Sequence, residues 1–462
     1  MNKSLQLLSR VSRWAGGIVL ALGALHAQAG IQGILGGGTD PRVVGAAGAR
    51  TFNLIATDGY INAADGVQIY MWGFGETSKG AMQYTAPTLL VKQGDTVTVS
   101  MKNLLPTRTS ILFPGQSGVV GTGGTAGVLA HEAAPQQTVT YTFTATQPGT
   151  YLYQSGTQPG LQVEMGMIGA LIVYPTTAGT AYNHAGTAYR RETLFVSTEA
   201  DANLHTAVAE QVQTFRAANP GNPAAETVFT ADLAHRFPSY WFLNGRTAPD
   251  TLAANNVGEL PLQPYNCLPR VNPAEKLLMR MVGGGSDLHP MHHHGNNSWA
   301  IARDGRMLTS NAANAALGPN LGVSDFTIAV VPGQTYDALW SWTGAGLGWD
   351  IYGKICGGVG QPTCASVYPP GSPLHQLASD RGKPIPVTLP SQLELAFGEF
   401  YSGSPYLGDF GNRPIGAGIA NTTASFFHMI HSHNEREIVN GGVFPGGMMT
   451  MIVIEPNLIF VD

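Results

Sequence analysis

The sequence predicts an all-β chain made of two related β domains, and three observations carry that expectation: a turn-rich composition, short alternating strands and a long internal repeat. Of 462 residues, 59 are glycine and 30 proline, while only 11% are charged, against roughly 25% in ordinary soluble domains. Charged amphipathic helices are scarce in such a chain. With 44% apolar residues and no polar low-complexity tract it can bury a sizeable core, and its length suits two to three domains. Disorder is excluded on the same grounds. A formal net charge of -5 without a basic run offers nothing to neutralise a phosphate backbone, which argues against a nucleic-acid partner.

The strands show as short runs rich in Val, Ile, Thr and Tyr. LLVKQGDTVTVSMKN (89–103) and QTVTYTFTATQPGTYLYQSG (137–156) alternate apolar and polar residues with period two, as half-buried strands do. One segment departs from this. From Asp201 to Ala217, the residues Leu204, Val208, Val212 and Phe215 recur at helical spacing with Asp201 as a cap, predicting a single peripheral helix.

The repeat is the most informative feature. VKQGDTVTVSMKN followed by TSILFPG aligns without gaps with VNPAEKLLMRMVG followed by HPMHHHG, at a constant offset of 180 residues. Gly94 then matches Ala274, Leu112 matches His292, Pro114 matches His294 and Gly115 matches Gly295. Downstream, APQQTVTYTF (134–143) matches VPGQTYDALW (331–340), and QSG at 154–156 matches HSH at 431–433, the offset growing from 197 to 277. Upstream, RTFNLIATDG (50–59) resembles RETLFVSTEA (191–200). The expected domains are therefore roughly 45–178 and 188–457, with an insertion at about 345–420 in the second copy. Loops of that size lie on surfaces or over sites.

Residues 1–29 read as a secretory signal: Lys3, Arg10 and Arg13, then an apolar run from Ala15 to Leu25, then Ala27-Gln28-Ala29 as the cleavage pattern. The apolar run is shorter than the roughly 20 residues that span a bilayer, and no later segment reaches that length, so no membrane span is expected in the mature chain. The expectation is an exported protein of the periplasm, cell surface or medium. Of three cysteines, Cys356 and Cys364 bracket a Gly/Pro loop and can close a disulfide in an oxidising compartment, leaving Cys267 unpaired. No CxxC pair proposes a thiolate zinc site. GAGLG at 344–348 lacks the helix and lysine of a phosphate cradle and reads as a turn.

Seven of the thirteen histidines occupy two short segments: His289, His292, His293 and His294 in one, and His428, His431 and His433 in the other. Residues two apart on an extended chain share a face, so His292 and His294 point one way, as do His431 and His433. If the two edges meet, four imidazoles converge, an arrangement that suits copper or zinc. A single HxH is more simply a hydrogen-bonded strand end; two in one domain favour a metal. Methionines recur nearby, at Met165, Met167, Met291, Met429, Met448, Met449 and Met451. Thioethers suit Cu(I), and they equally fill β cores.

HPMHHHG, followed far downstream by HSH and GMM before the last strand, resembles the copper motifs of multicopper oxidases, whose domains have the cupredoxin fold. The resemblance runs from about 50 to 457 and takes in TSILFPG and YLYQSG. It implies two cupredoxin-like Greek-key β sandwiches, the second with a long loop insertion. In the family a mononuclear type 1 copper takes electrons from substrate, and a trinuclear cluster of eight histidines reduces dioxygen to water.

Carried over position by position, the cluster histidines of the second copy fall on His292, His294, His431 and His433, all retained. Those of the first fall on Leu112, Pro114, Gln154 and Gly156. The type 1 site keeps His289, but its thiolate position falls on Ser432 and its second imidazole on Glu437. A neutral hydroxyl cannot stand in for a soft thiolate. His428 is no rescue, since four residues along a strand is about 13 Å.

The leading expectation is thus an exported, multicopper-oxidase-like protein that binds one or two copper ions at most, without laccase-type turnover. A redox enzyme with a mononuclear type 2 copper is the second reading. Glu435 and Glu437 would there be proton donors, or simply solvated loop charges. A non-catalytic structural or surface-assembly protein is the third. Two-domain relatives form trimers, so a homo-oligomer, trimer or larger, is also expected.

Overall fold

A computed structural model describes residues 31–43, 45–272, 274–342 and 426–454. The signal-like residues 1–29, the 345–420 insertion and the Cys356/Cys364 loop lie outside the described residues.

The architecture is all-β, as the alternation requires. Ala49–Asn62 is the longest strand of a five-stranded sheet, lying between Gln68–Glu76 and Thr96–Asn103 and followed by Thr138–Thr144 and Val120–Gly123. A second sheet of Ala86–Lys92, Ile168–Tyr174 and Gly149–Gln154 covers it. Val97, Val99 and Met101 point inward from one sheet and Leu89, Leu171 and Tyr153 from the other, meeting Trp72 and Phe74 in one core. That is period-two patterning converted to packing.

The carboxy-terminal half repeats the plan. One sheet runs Tyr240–Leu243, Arg191–Ala200, Leu277–Gly283, Thr335–Trp340, Ser298–Arg303 and Arg306–Met307. The other runs Arg270–Val271, Met449–Ile454, Phe426–Ser432, His289–His293 and Thr327–Val330.

Even the registers correspond. Arg50 pairs with Val97 in parallel, and Arg191 with Leu277. Val97 opposes Phe143, and Leu277 opposes Trp340. Each half also carries one buried ion pair at the matching place: Arg50 Nε to Asp95 Oδ2 at 2.8 Å, and Arg191 Nε to Glu275 Oε2 at 3.1 Å. Both carboxylates also accept a backbone N–H three residues upstream, from Lys92 (2.7 Å) and Asn272 (3.0 Å). The turn between is left-handed in both, at Gly94 (φ 90°) and Ala274 (φ 66°).

The predicted helix spans Ala202–Ala218, and Asp201 caps it, Oδ1 accepting from the N–H of Asn203 (3.0 Å) and Leu204 (3.2 Å). It is less peripheral than its amphipathic pattern suggests. Leu204, Val208 and Val212 are buried in the amino-terminal core, with Phe215 packed against it. Among the described residues no helix is long and apolar enough to cross a membrane.

Asp201 also accepts from the N–H of Phe237 at 2.8 Å. Asp201→Ala should therefore cost about 1–2 kcal/mol, the upper range for a lost cap, read as a lower urea midpoint with the same slope.

Candidate metal centre

The strand His289–His293 runs antiparallel to Phe426–Ser432, with Met291 opposite Ser432, His292 opposite His431 and His293 opposite Ile430. Opposed side chains share a face. His292 and His431 therefore lie together on the outer face of the sheet, while Met291 and Ile430 are buried in the core. His294 follows the strand and His433 follows its partner, and both rings join the group. Ring centroids are 4.8 Å apart for His292 and His294, 5.3 Å for His292 and His431, and 5.0 Å for His292 and His433.

One nitrogen each from His292, His294 and His431 lies within 4.8 Å of the others. Nε2 of His294 is 3.3 Å from Nε2 of His431. Two imidazole nitrogens on one ion at about 2.0–2.1 Å stand roughly 3.3 Å apart in a tetrahedral site, so this pair already has a ligand separation. The far sides of two rings are held. His292 Nδ1 meets Thr327 Oγ1 at 2.9 Å, and His431 Nδ1 donates to the Ser432 carbonyl at 2.8 Å. Such outer bonds fix the ring and turn Nε2 toward the centre. Burial and the neighbouring rings His431 and His433 push His292 down to about 4, and burial also lowers His431. Both are neutral at pH 7 and keep the lone pair a metal needs. His433 is the exposed member.

The other three histidines of these strands have different duties. His293 points inward, and its Nε2 accepts the Ser298 N–H at 3.1 Å. His428 is buried against the rings of Trp340 and Trp342, with centroids 5.7 and 4.7 Å away. Burial pushes it down to about 3.

His289, expected as the surviving type 1 ligand, is placed elsewhere. Its Nδ1 donates to Glu437 Oε2 at 3.0 Å and its Nε2 to Glu199 Oε2 at 3.1 Å, all three side chains being buried. With both nitrogens committed, no lone pair is left for a metal, and His289 leaves the candidate ligand set. Ser432 Oγ donates to the same Glu437 oxygen at 2.6 Å, and Asn434 Nδ2 to its other oxygen at 2.9 Å. Glu437 is thus no solvated loop charge; Glu435 is exposed. Glu199 in turn pairs with Arg236, which also reaches Glu164 and, at 3.0 Å, Asp287. Burial pulls the His289 imidazole down, but hydrogen bonds to Glu199 and Glu437 outweigh it and push it up to about 9.

At the matching place in the amino-terminal half, Ser155 and Thr109 both donate to Gln162 Oε1, at 2.6 and 2.8 Å. The residues matching the outer imidazoles form no cluster. Leu112 bridges Gln154 as His292 pairs with His431, and a Cβ on Gly156 would come 2.7 Å from Leu112 Cγ. Leucine fills the space a ring would need.

Comparison with known proteins supports the sandwich reading first. The solved blue copper oxidase from Nitrosomonas europaea superposes with a TM-score of 0.52 over 88% of this chain and 85% of that one, at 19% identity. This defines the fold as that of cupredoxin-type copper proteins. Residues 62–178 match the family model for multicopper oxidase. Copper resistance protein A from Escherichia coli is 28% identical over 269 residues, 55% of this chain and 41% of that protein. Copper-containing nitrite reductase from Neisseria gonorrhoeae is 35% identical over 112 residues, 24% of this chain and 26% of that protein. The aligned part thus spans less than half the length of either relative. The chain is a multicopper-oxidase-like cupredoxin protein.

The His289 network has a pH signature. Because its folded pKa lies above the ordinary value of about 6.5, its contribution is complete below that pH and is lost as pH rises through about 9. His289→Gln should destabilise the protein at pH 6 by about 3–5 kcal/mol, the cost of breaking a buried pair. The gap between wild type and variant in urea midpoint should narrow from pH 7 to pH 10; a constant gap would contradict the assignment.

Proposed function

We propose that this chain is an exported copper-binding protein of multicopper-oxidase-like build that holds copper on His292, His294 and His431, with His433 at the open edge, and does not carry out laccase-type reduction of oxygen. The observation that carries the reading is the convergence of three imidazole nitrogens, two of them on rings fixed from behind by Thr327 and Ser432. Converging imidazoles, with His292 and His431 kept neutral by burial, are a donor set suited to copper. Bound there, copper would supply a one-electron couple and a Lewis acid. The copper names of the relatives and the basic, apolar and Ala27-Gln28-Ala29 segments at the amino terminus point the same way.

A mononuclear type 1 copper does not fit. Ser432 offers a hydroxyl already spent on Glu437, and neither nitrogen of His289 is available. Without that soft sulfur donor there is no electron entry of the oxidase kind. Nor does the amino-terminal half offer imidazoles at Leu112, Pro114, Gln154 or Gly156 to complete a trinuclear cage.

The exposed His433 favours a second reading, a type 2 copper with a side open to substrate. Oxygen uptake with a phenol, or nitrite reduction, would establish it.

Copper-loaded protein should give the paramagnetic resonance of a nitrogen-bound cupric ion without intense blue absorption; a blue centre would refute the reading of Ser432. His292→Ala combined with His431→Ala should abolish retention of Cu(II) on desalting, and unchanged retention would place the copper elsewhere.

A further inference from the structure

The sheet face that carries the imidazoles continues past them. Where Phe426–Ser432 pairs with Met449–Ile454, His431 stands opposite Met449 and Met429 opposite Met451. Opposed residues share a face, and so do residues two apart on one strand, with Cβ atoms about 4.5–5.5 Å apart across the pair and roughly 7 Å along it. Met429, Met449 and Met451 therefore form a triangle beside His431, and all three are half-buried.

This grouping is not the general fate of methionine here. Of the thirteen methionines among the described residues, nine are buried, including Met165, Met167, Met291 and Met448. Of the remaining four, three stand in this triangle, while Met307 lies in the other sheet. A strand face that needs only an apolar cover is ordinarily given β-branched or aromatic residues, as on the inward side at Ile430 and Ile452. Thioethers have a donor atom those residues lack. Three unbranched side chains, each with several rotatable bonds, can bring three sulfurs onto one ion from a triangle of these dimensions. Neutral soft sulfur selects Cu(I) over Cu(II) or zinc.

We propose that Met429, Met449 and Met451 form a site for a monovalent soft cation, Cu(I), separate from the imidazole cluster and abutting it. The proposal goes beyond the copper reading above, because it concerns a different oxidation state on different donors.

The test titrates the full chain anaerobically with Cu(I) against a colorimetric chelator, and in parallel with Ag(I). It compares wild type with Met429→Leu/Met449→Leu/Met451→Leu, a swap that keeps volume. Wild type should take up one more Cu(I) or Ag(I) per chain than the variant, with Cu(II) uptake equal in both. X-ray absorption of Cu(I)-loaded His292→Ala/His431→Ala protein should show sulfur neighbours at about 2.3 Å, a metal–thiolate-like length. Equal Cu(I) uptake in wild type and variant, or absorption without sulfur, would overturn the proposal. Should the triple variant lose its urea transition, Met451→Leu alone is read, expected to weaken Cu(I) at least tenfold; an unchanged affinity overturns the proposal equally. Failure of the imidazole reading shows separately, as Cu(II) uptake indifferent to the histidine changes.

Discussion

Everything at the candidate site depends on one alignment, the register that sets His292 opposite His431. Side chains on strands alternate, so a slip of one residue in either strand would turn that strand's imidazole into the core and part it from the other. The same register places His289 and Ser432 on the inner side, where Glu437 holds both. It is fixed from within by the packing of Met291, Ile430 and Ile452. It is fixed at its end by Gly295, whose φ of 90° leaves no room for a side chain, since a Cβ there would come within 2.7 Å of the His428 ring. One geometric choice thus produces a nitrogen cluster outside and an ionic lock inside.

The two halves of the chain show how one scaffold tolerates different chemistry. Their strand registers, ion pairs and left-handed turns coincide. At the inner position, Ser155, Gln162 and Thr109 make with neutral groups what Ser432, Glu437 and His289 make with charged ones. At the outer position the halves diverge: Leu112 packs over Gly156 where His292 faces its imidazole neighbours. The backbone is shared, and the donor atoms are local.

Much of this was legible in the sequence because it is periodic or local. Alternation announced the strands, the gap-free offset announced matching registers, and Asp201 before a helical stripe announced the capped helix. The pairs His292/His294 and His431/His433 were legible because period two dictates a common face. What escaped was long-range. Nothing near His289 in the chain shows that Glu199, 90 residues earlier, takes one of its nitrogens and Glu437, 148 later, the other. Glu437 read as a loop charge because its burial arises only when its short turn folds back beneath Ser432. Thr327, which steadies His292, comes from a neighbouring edge strand. The pairing of the buried Glu164 with Arg236 was equally hidden, since each is polar and unremarkable in its own segment.

The bond from Ser432 to Glu437 also bears on how such a protein can change over generations. A sulfur at position 432 would replace a hydroxyl that lies 2.6 Å from a carboxylate oxygen, and an anionic sulfur there would meet like charge in a dry interior. Removing the carboxylate first would leave the imidazolium of His289 with only Glu199 to balance it. Each single step toward a sulfur donor at this place passes through a less favourable intermediate, so the serine–glutamate pair works as a ratchet against that exchange.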